Sequence, residues 1–136
     1  MSAERTLADA LSTALVAALG VDAPLGQVVA RIDDGDAPHA HVPRIQMAEC
    51  ASQFWGAKGR EGAAVRLTLL LHDRGDGARL SAMAAGVGRI AAALPRAVHG
   101  WEHLGLTLSA TRRSRDKAGN ARLQMDFVTK GWPEIS

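Results

Sequence analysis

Val65-Arg66-Leu67-Thr68-Leu69-Leu70-Leu71 runs into His72-Asp73-Arg74-Gly75-Asp76-Gly77, and then into a segment ending at Leu94-Pro95. The reading of this stretch decides the fold. Val65, Leu67, Leu69 and Leu71 alternate, the period-2 signature of a half-buried strand. The six residues after them are turn formers. Leu80, Met83, Ala84, Val87, Ile90, Ala91 and Leu94 then recur at helical spacing, with Asp76 placed to cap the helix and Pro95 to end it. A strand with one apolar face followed at once by a helix with one apolar stripe predicts a helix lying across a sheet.

Working outward, Ala3 to Leu19 reads as a first helix, with Leu7, Leu11, Leu15 and Leu19 on one stripe, Ser2 as cap and Gly20 at the stop. Ala23 to Ala30 reads as one extra turn, and Asp33 to Pro43 is loop chemistry with two prolines. Arg44 to Cys50 is extended, its apolar face interrupted at Glu49, and Ala51 to Gly62 reads as a long mobile connection carrying Phe54 and Trp55. Trp55 either offers a partner surface or folds back on the core. Arg96 to His103 is a connector. Leu104, Leu106, Leu108 and Ala110, then Ala121, Leu123, Met125 and Phe127, alternate on either side of a Gly119-Asn120 turn, which predicts a hairpin with a charged tip. Thr129 to Ser136 is a tail that Trp132-Pro133 could pin. The expected fold class is α+β: an antiparallel-rich sheet of about four strands, two helices on one face, order α-β-β-α-β-β, in a single domain over residues 1–136.

The 136 residues carry 47% hydrophobic and 22% charged side chains, an ordinary globular balance, and a net charge of +2, too small for a dominating positive field. Cys50 is the single cysteine, so no disulfide forms within the chain. Apolar runs are too short for a spanning helix, so no membrane is expected, and residues 1–5 lack the layout of a secretory leader.

His39 and His41 share a face if extended, but no Cys or carboxylate cluster completes a metal site around them. His99 and His103 lie near Glu102 without a nucleophile, and Ser81, Ser109 and Ser114 sit in no nucleophile elbow. Cys50 reads as a small packing residue, and Gly86-Val87-Gly88 as glycines that let a helix pack closely. No catalytic, cofactor or metal residue is assigned. The patch that stands out is Arg112, Arg113, Arg115 and Lys117, with Arg122 on the return strand. It could meet phosphates, stay solvated, or contact acidic residues of a neighbour such as the Asp33-Asp34-Asp36 loop of another copy. Against nucleic acid stands a total of five Phe and Trp and no Tyr, with no stacking pair on a strand.

From Leu7 to Val128 the chain resembles the tail terminator, or tail-completion, proteins of long-tailed phages and gene transfer agents. An Ala/Leu-rich first helix is followed by a Val-x-x-Arg-Ile-like step, here Val28-Val29-Ala30-Arg31-Ile32-Asp33. A proline loop leads into a long strand at Pro38 to Met47, and an aliphatic strand, polar turn and Ala-rich helix span Val65 to Leu94. The most specific part is an Arg-Asp-x-x-Gly turn, Arg115-Asp116-Lys117-Ala118-Gly119, before an alternating strand. Where the family often has Pro-Tyr or Pro-Phe entering the first strand, this chain has His41-Val42-Pro43. Where the family often has an aromatic ending the second, it has Leu71-His72-Asp73.

The resemblance implies a non-enzymatic virion protein without cofactors. Family members form a ring, a hexamer, that caps the tail tube, stops its growth and meets the head-side connector or stopper protein. DNA passes through the lumen without sequence-specific binding. The place implied is the head-tail junction of a particle assembled in a bacterial cytoplasm. Contact residues expected on this reading are Phe54, Trp55, Lys58, Arg60, Arg112, Arg113, Arg115 and Lys117. Two other readings stand beside it. One is a small nucleic-acid-binding α+β module using the arginine-rich hairpin; the other is a small enzyme built on His39, His41 or His103.

Overall fold

A computed structural model describes residues 6–34, 42–57 and 59–134. Its elements run α1 (Leu7–Gly20), α2 (Ala23–Gly26), β1 (Arg31–Asp34), β2 (Arg44–Ala57), β3 (Arg60–His72), α3 (Leu80–Ala93), β4 (Ala97–Val98), β5 (Trp101–His103), β6 (Thr107–Arg115) and β7 (Ala121–Pro133). All strands belong to one sheet in the order β1-β2-β3-β7-β5-β4, and β6 also pairs with β7. One edge of β7 therefore takes β3, and the other takes β6 and then β5. Only β1 on β2 is parallel. The class is α+β as expected. The expected four strands and two helices become seven and three among the described residues.

The strand and helix that the central stretch predicts are there, and they meet as predicted. Val65, Leu67, Leu69 and Leu71 of β3 are buried, as are Leu80, Met83, Val87 and Ile90 of α3. Leu7, Leu11, Leu15 and Leu19 of α1 are at most 1% exposed. α1 packs on β1, β2, β3 and α3. Each such leucine contributes about 1.5–3 kcal/mol by leaving water. The expected α1 start at Ala3 is corrected to Leu7: Thr6 is the cap, its Oγ1 accepting from the Asp9 amide at 3.1 Å. Ser2 lies outside the described residues. Gly20 is the last helical residue, with Val21 as C-cap. Gly86 faces Leu25 of α2, where a Cβ would come within 2.8 Å of its Cδ1, so the close packing expected of it is present; Gly88 has nothing within 4 Å.

Several expectations are corrected. Asp33 begins no loop. It is 7% exposed inside β1, which is tolerable because Arg31 Nε bonds one carboxylate oxygen and Arg44 Nη1 reaches the other at 3.4 Å. The connection expected over Ala51 to Gly62 is two strands. The β2–β3 ladder continues from Ala51↔Arg66 to Ala57↔Arg60, with Gly59 at φ +77° in the turn. Arg96 to His103 contains β4 and β5, joined by a two-residue turn in which His99 and Gly100 both have positive φ, as a type I′ hairpin requires. The expected tail from Thr129 is the end of β7. The α3 N-terminus is served by Asp73, not Asp76. Asp73 is 1% exposed and accepts from the amides of Arg79 (2.7 Å) and Arg74 (2.8 Å) and from Arg79 Nη1 (3.2 Å). Burial alone would raise its carboxyl's pKa; those bonds outweigh it and hold the pKa below the usual value.

The β6–β7 hairpin is present, its turn closed by Asp116 and Gly119. The strand starts at Thr107, and its apolar alternation is not a core face: every residue of β6 is exposed, Leu108 by 46%. β6 lies beyond the cover of the described helices, which leave its helix side exposed.

Candidate interaction surface

A bulge decides what the surface offers. In β2, Met47 pairs with Leu69 and Glu49 with Thr68, leaving Ala48 as an extra residue. A bulge shifts the alternation by one. Ile45 and Met47 face the helices; beyond the bulge Glu49, Ala51 and Gln53 face away, and Cys50, Ser52 and Phe54 share the helix side with their β3 partners Leu67, Val65 and Ala63. Here the hairpin outruns the helical layer. Phe54 is 73% exposed, and Cys50 is exposed too, which corrects its reading as a packing residue.

Trp55 points to the other face and does not enter the core. Its ring stacks on Trp132, centroids 5.9 Å apart, with the Lys130 ammonium 5.2 Å from its centroid. The two tryptophans belong to strands separated by β3. They meet because Gly62 stands between them: a Cβ there would lie 2.4 Å from the Gly131 carbonyl oxygen and 3.1 Å from the Trp55 ring. Trp132 Nε1 donates to Glu102 Oε1 at 3.2 Å, joining the row to β5.

Next to this row the open sheet face carries a concavity of about 590 Å³, lined by Ala51, Ala64, Val128, Leu104, Arg66 and Lys130 among others. Leu104, Gly105 and Thr107, where β5 passes to β6, form one wall, and Leu104 is 54% exposed there. At the far end of the same face, Arg44, His72 and Arg122 stand side by side on β2, β3 and β7. His72 is 7% exposed and its Nε2 donates to Gln46 Oε1 at 2.9 Å. Burial first, then the charges of Arg44 and Arg122, lower its pKa to about 4.

The expected contact residues do not form one patch. Phe54 lies on the helix side of the β2–β3 hairpin and Trp55 on the open face. Arg60 opens β3, and Lys58 lies outside the described residues. Arg112 pairs with Gln124 on the open face, and Arg113 pairs with Leu123 on the other. Among the described residues, neither these two arginines nor Lys117 makes an ion pair. Arg115 is structural: its Nη1 donates to the carbonyls of Gly119 (2.7 Å) and Gly75 (3.1 Å), and its Nη2 to Asp76 (2.9 Å), tying the hairpin tip to the loop before α3. Missed by sequence reasoning were Glu61, Arg66 and Lys130, which matter only once register places them beside Phe54 or the concavity.

The histidines and serines assemble no reaction centre among the described residues. Both ring nitrogens of His103 are taken by backbone, Nε2 donating to the Pro95 carbonyl (2.8 Å) and Nδ1 accepting from the Gly105 amide (3.0 Å). Burial lowers its pKa. Ser109 Oγ donates to the Asp126 carbonyl, and Ser114 Oγ accepts from Arg122. No group of three or more metal-ligating side chains occurs among the described residues, and His39 and His41 lie outside them. No described helix is long and apolar enough to cross a membrane.

No family model matches the chain, and no curated protein does. A solved structure does: a chain in the virion of a native gene transfer agent particle is similar to it at 21% identity, with a TM-score of 0.73 over 93% of this chain and 96% of that one. The likeness shows a shared fold across nearly the whole of both chains.

Proposed function

We propose that this chain is a structural, non-enzymatic virion protein of a phage or gene transfer agent. Within the particle it acts as the tail terminator: a single domain over residues 1–136 that assembles with copies of itself into a hexameric ring. The ring caps the tail tube, ends its growth and meets the head-side connector or stopper protein, while DNA passes through its lumen. Its place is the head-tail junction, after assembly in the bacterial cytoplasm. The observation that carries the reading is the whole-length likeness in fold to a chain of a gene transfer agent virion. The surface is compatible with it. Phe54 on one side, the concavity on the other and the uncovered strand β6 give one subunit several separate faces. Head-to-tail contacts between identical subunits close into a ring when the rotation permits.

The test is assembly with tail-tube protein purified from the same particle. We expect the chain to bind tube ends, to halt elongation when added during polymerisation, and to appear there as a ring in electron micrographs. Tubes that lengthen unchanged in its presence would sink the reading. One observation favours a second reading, a nucleic-acid-binding module. Arg44, Arg122 and Arg112 lie on one open sheet face, spaced by strands, although Arg44 is largely buried against Asp33. That reading requires binding to free DNA that weakens steeply with salt, in a chain indifferent to the tube.

A further inference from the structure

The chain carries an apolar projection and an apolar hollow on opposite faces of one sheet. Phe54 is the most exposed aromatic side chain with a described environment, at 73%, and stands on the helix side of the β2–β3 hairpin. The hollow, floored by Ala64 and Val128, opens on the other side. The sheet itself separates them, so one molecule cannot fill its own hollow.

The charges match as well. Glu61 pairs with Gly56, which sets it diagonally beside Phe54 on the helix side. Arg66 and Lys130 line the hollow; Glu49 lines it too, leaving an excess of positive charge. The side chains of Glu61 and Arg66 make no hydrogen bond or ion pair with other described residues. A carboxylate beside the projection and cations around the hollow fix the direction and register of docking.

We propose that a second copy of this chain docks head to tail here, seating Phe54 in the concavity floored by Ala64 and Val128 with Glu61 against Arg66. The contact is heterologous, since different patches meet, so its repetition generates a ring or an open chain and not a symmetric pair. The inference rests on the ring-forming reading above and assigns the surfaces through which the ring closes.

Site-directed disulfide trapping tests it, in the full chain with Cys50→Ser. A Glu61→Cys/Arg66→Cys double variant, oxidised at its highest soluble concentration, is expected to give a ladder of linked oligomers. Each single variant alone should stay unlinked, and a mixture of the two single variants should give dimers and nothing larger. Adding Phe54→Ser to the double variant should cut the linked fraction by roughly tenfold or more. Positions 61 and 66 are exposed, so the variants keep the fold, which circular dichroism checks. Absence of the 61–66 link, self-linking by either single variant, or indifference to Phe54→Ser would overturn the docking. A chain that caps tubes without this link keeps the terminator reading and loses only this interface. A chain that links but ignores tubes does the reverse.

Discussion

His72 shows how one side chain inverts what its position suggests. It follows the aliphatic run of β3, where sequence alone offers a turn residue, and it is buried between Arg44 and Arg122 with its pKa lowered to about 4. The folded state therefore takes up a proton less readily than the unfolded chain, whose histidines titrate near 6.5. Stability is complete above that value and is lost as pH falls from about 6.5 towards 4, below which the loss stops. The gap sets the size at roughly 3 kcal/mol. Thermal or urea unfolding at about pH 7.5 and about pH 4.5 should show this loss, and His72→Gln should remove most of it, leaving a share to His103. Equal losses in both proteins would refute the assignment. Asp22 titrates in a separate window. Bonded by Arg89 and the Leu25 amide, its pKa is lowered to about 2, so its contribution disappears only in stronger acid. At this scale the apolar stripes were legible and the caps were not: Ser2 was expected where Thr6 caps α1, and Asp22, which caps α2, was not singled out. Nor was the sequence legible where partners come from other strands, as for His72. The misplaced α3 cap is instructive: Asp76 had the right spacing, but Asp73 reaches two amides and a guanidinium while buried.

The strands were harder to read than the helices, for a reason Gly62 makes plain. A glycine beside Trp55 and Gly56 reads as loop chemistry. In the sheet it is the gap through which Trp55 and Trp132 touch, and loop-like composition is what allows a paired strand there. The Ala48 bulge adds to the difficulty, because it reverses which of Phe54 and Trp55 faces the helices, and no periodicity announces it. The apolar alternation before β6 misled in the opposite sense: it is a strand, but one the helices do not cover. Gly62→Val should cost at least about 2 kcal/mol, since its side chain must displace the Gly131 carbonyl or the Trp55 ring. It should also abolish the coupled near-ultraviolet circular dichroism of the tryptophan pair. A variant with unchanged melting and an intact tryptophan signal would contradict this account of the hairpin.

Across the whole molecule, the layer order was legible and the sheet order was not. Apolar stripes on α1, β3 and α3 force one helical layer on one face, whatever the connections. Which strands neighbour one another depends on register, and β1, β4 and β5 are too short to stand out by alternation. β7 is the case with the largest effect, since it pairs with β3, β5 and β6. Removing residues 121–136 should leave a chain without cooperative thermal unfolding; a sharp transition in that truncated form would show that β7 is dispensable. The same placement has a consequence for how the protein is made. On the ribosome, β3 emerges with its aliphatic face complete, yet the strand that flanks it arrives only after β6, some fifty residues later by the register. Until then the nascent chain holds an unpaired strand edge of the kind that invites aggregation. Completion of this sheet therefore waits on the emergence of β7, and the aliphatic strand at its centre gains its second neighbour late in synthesis.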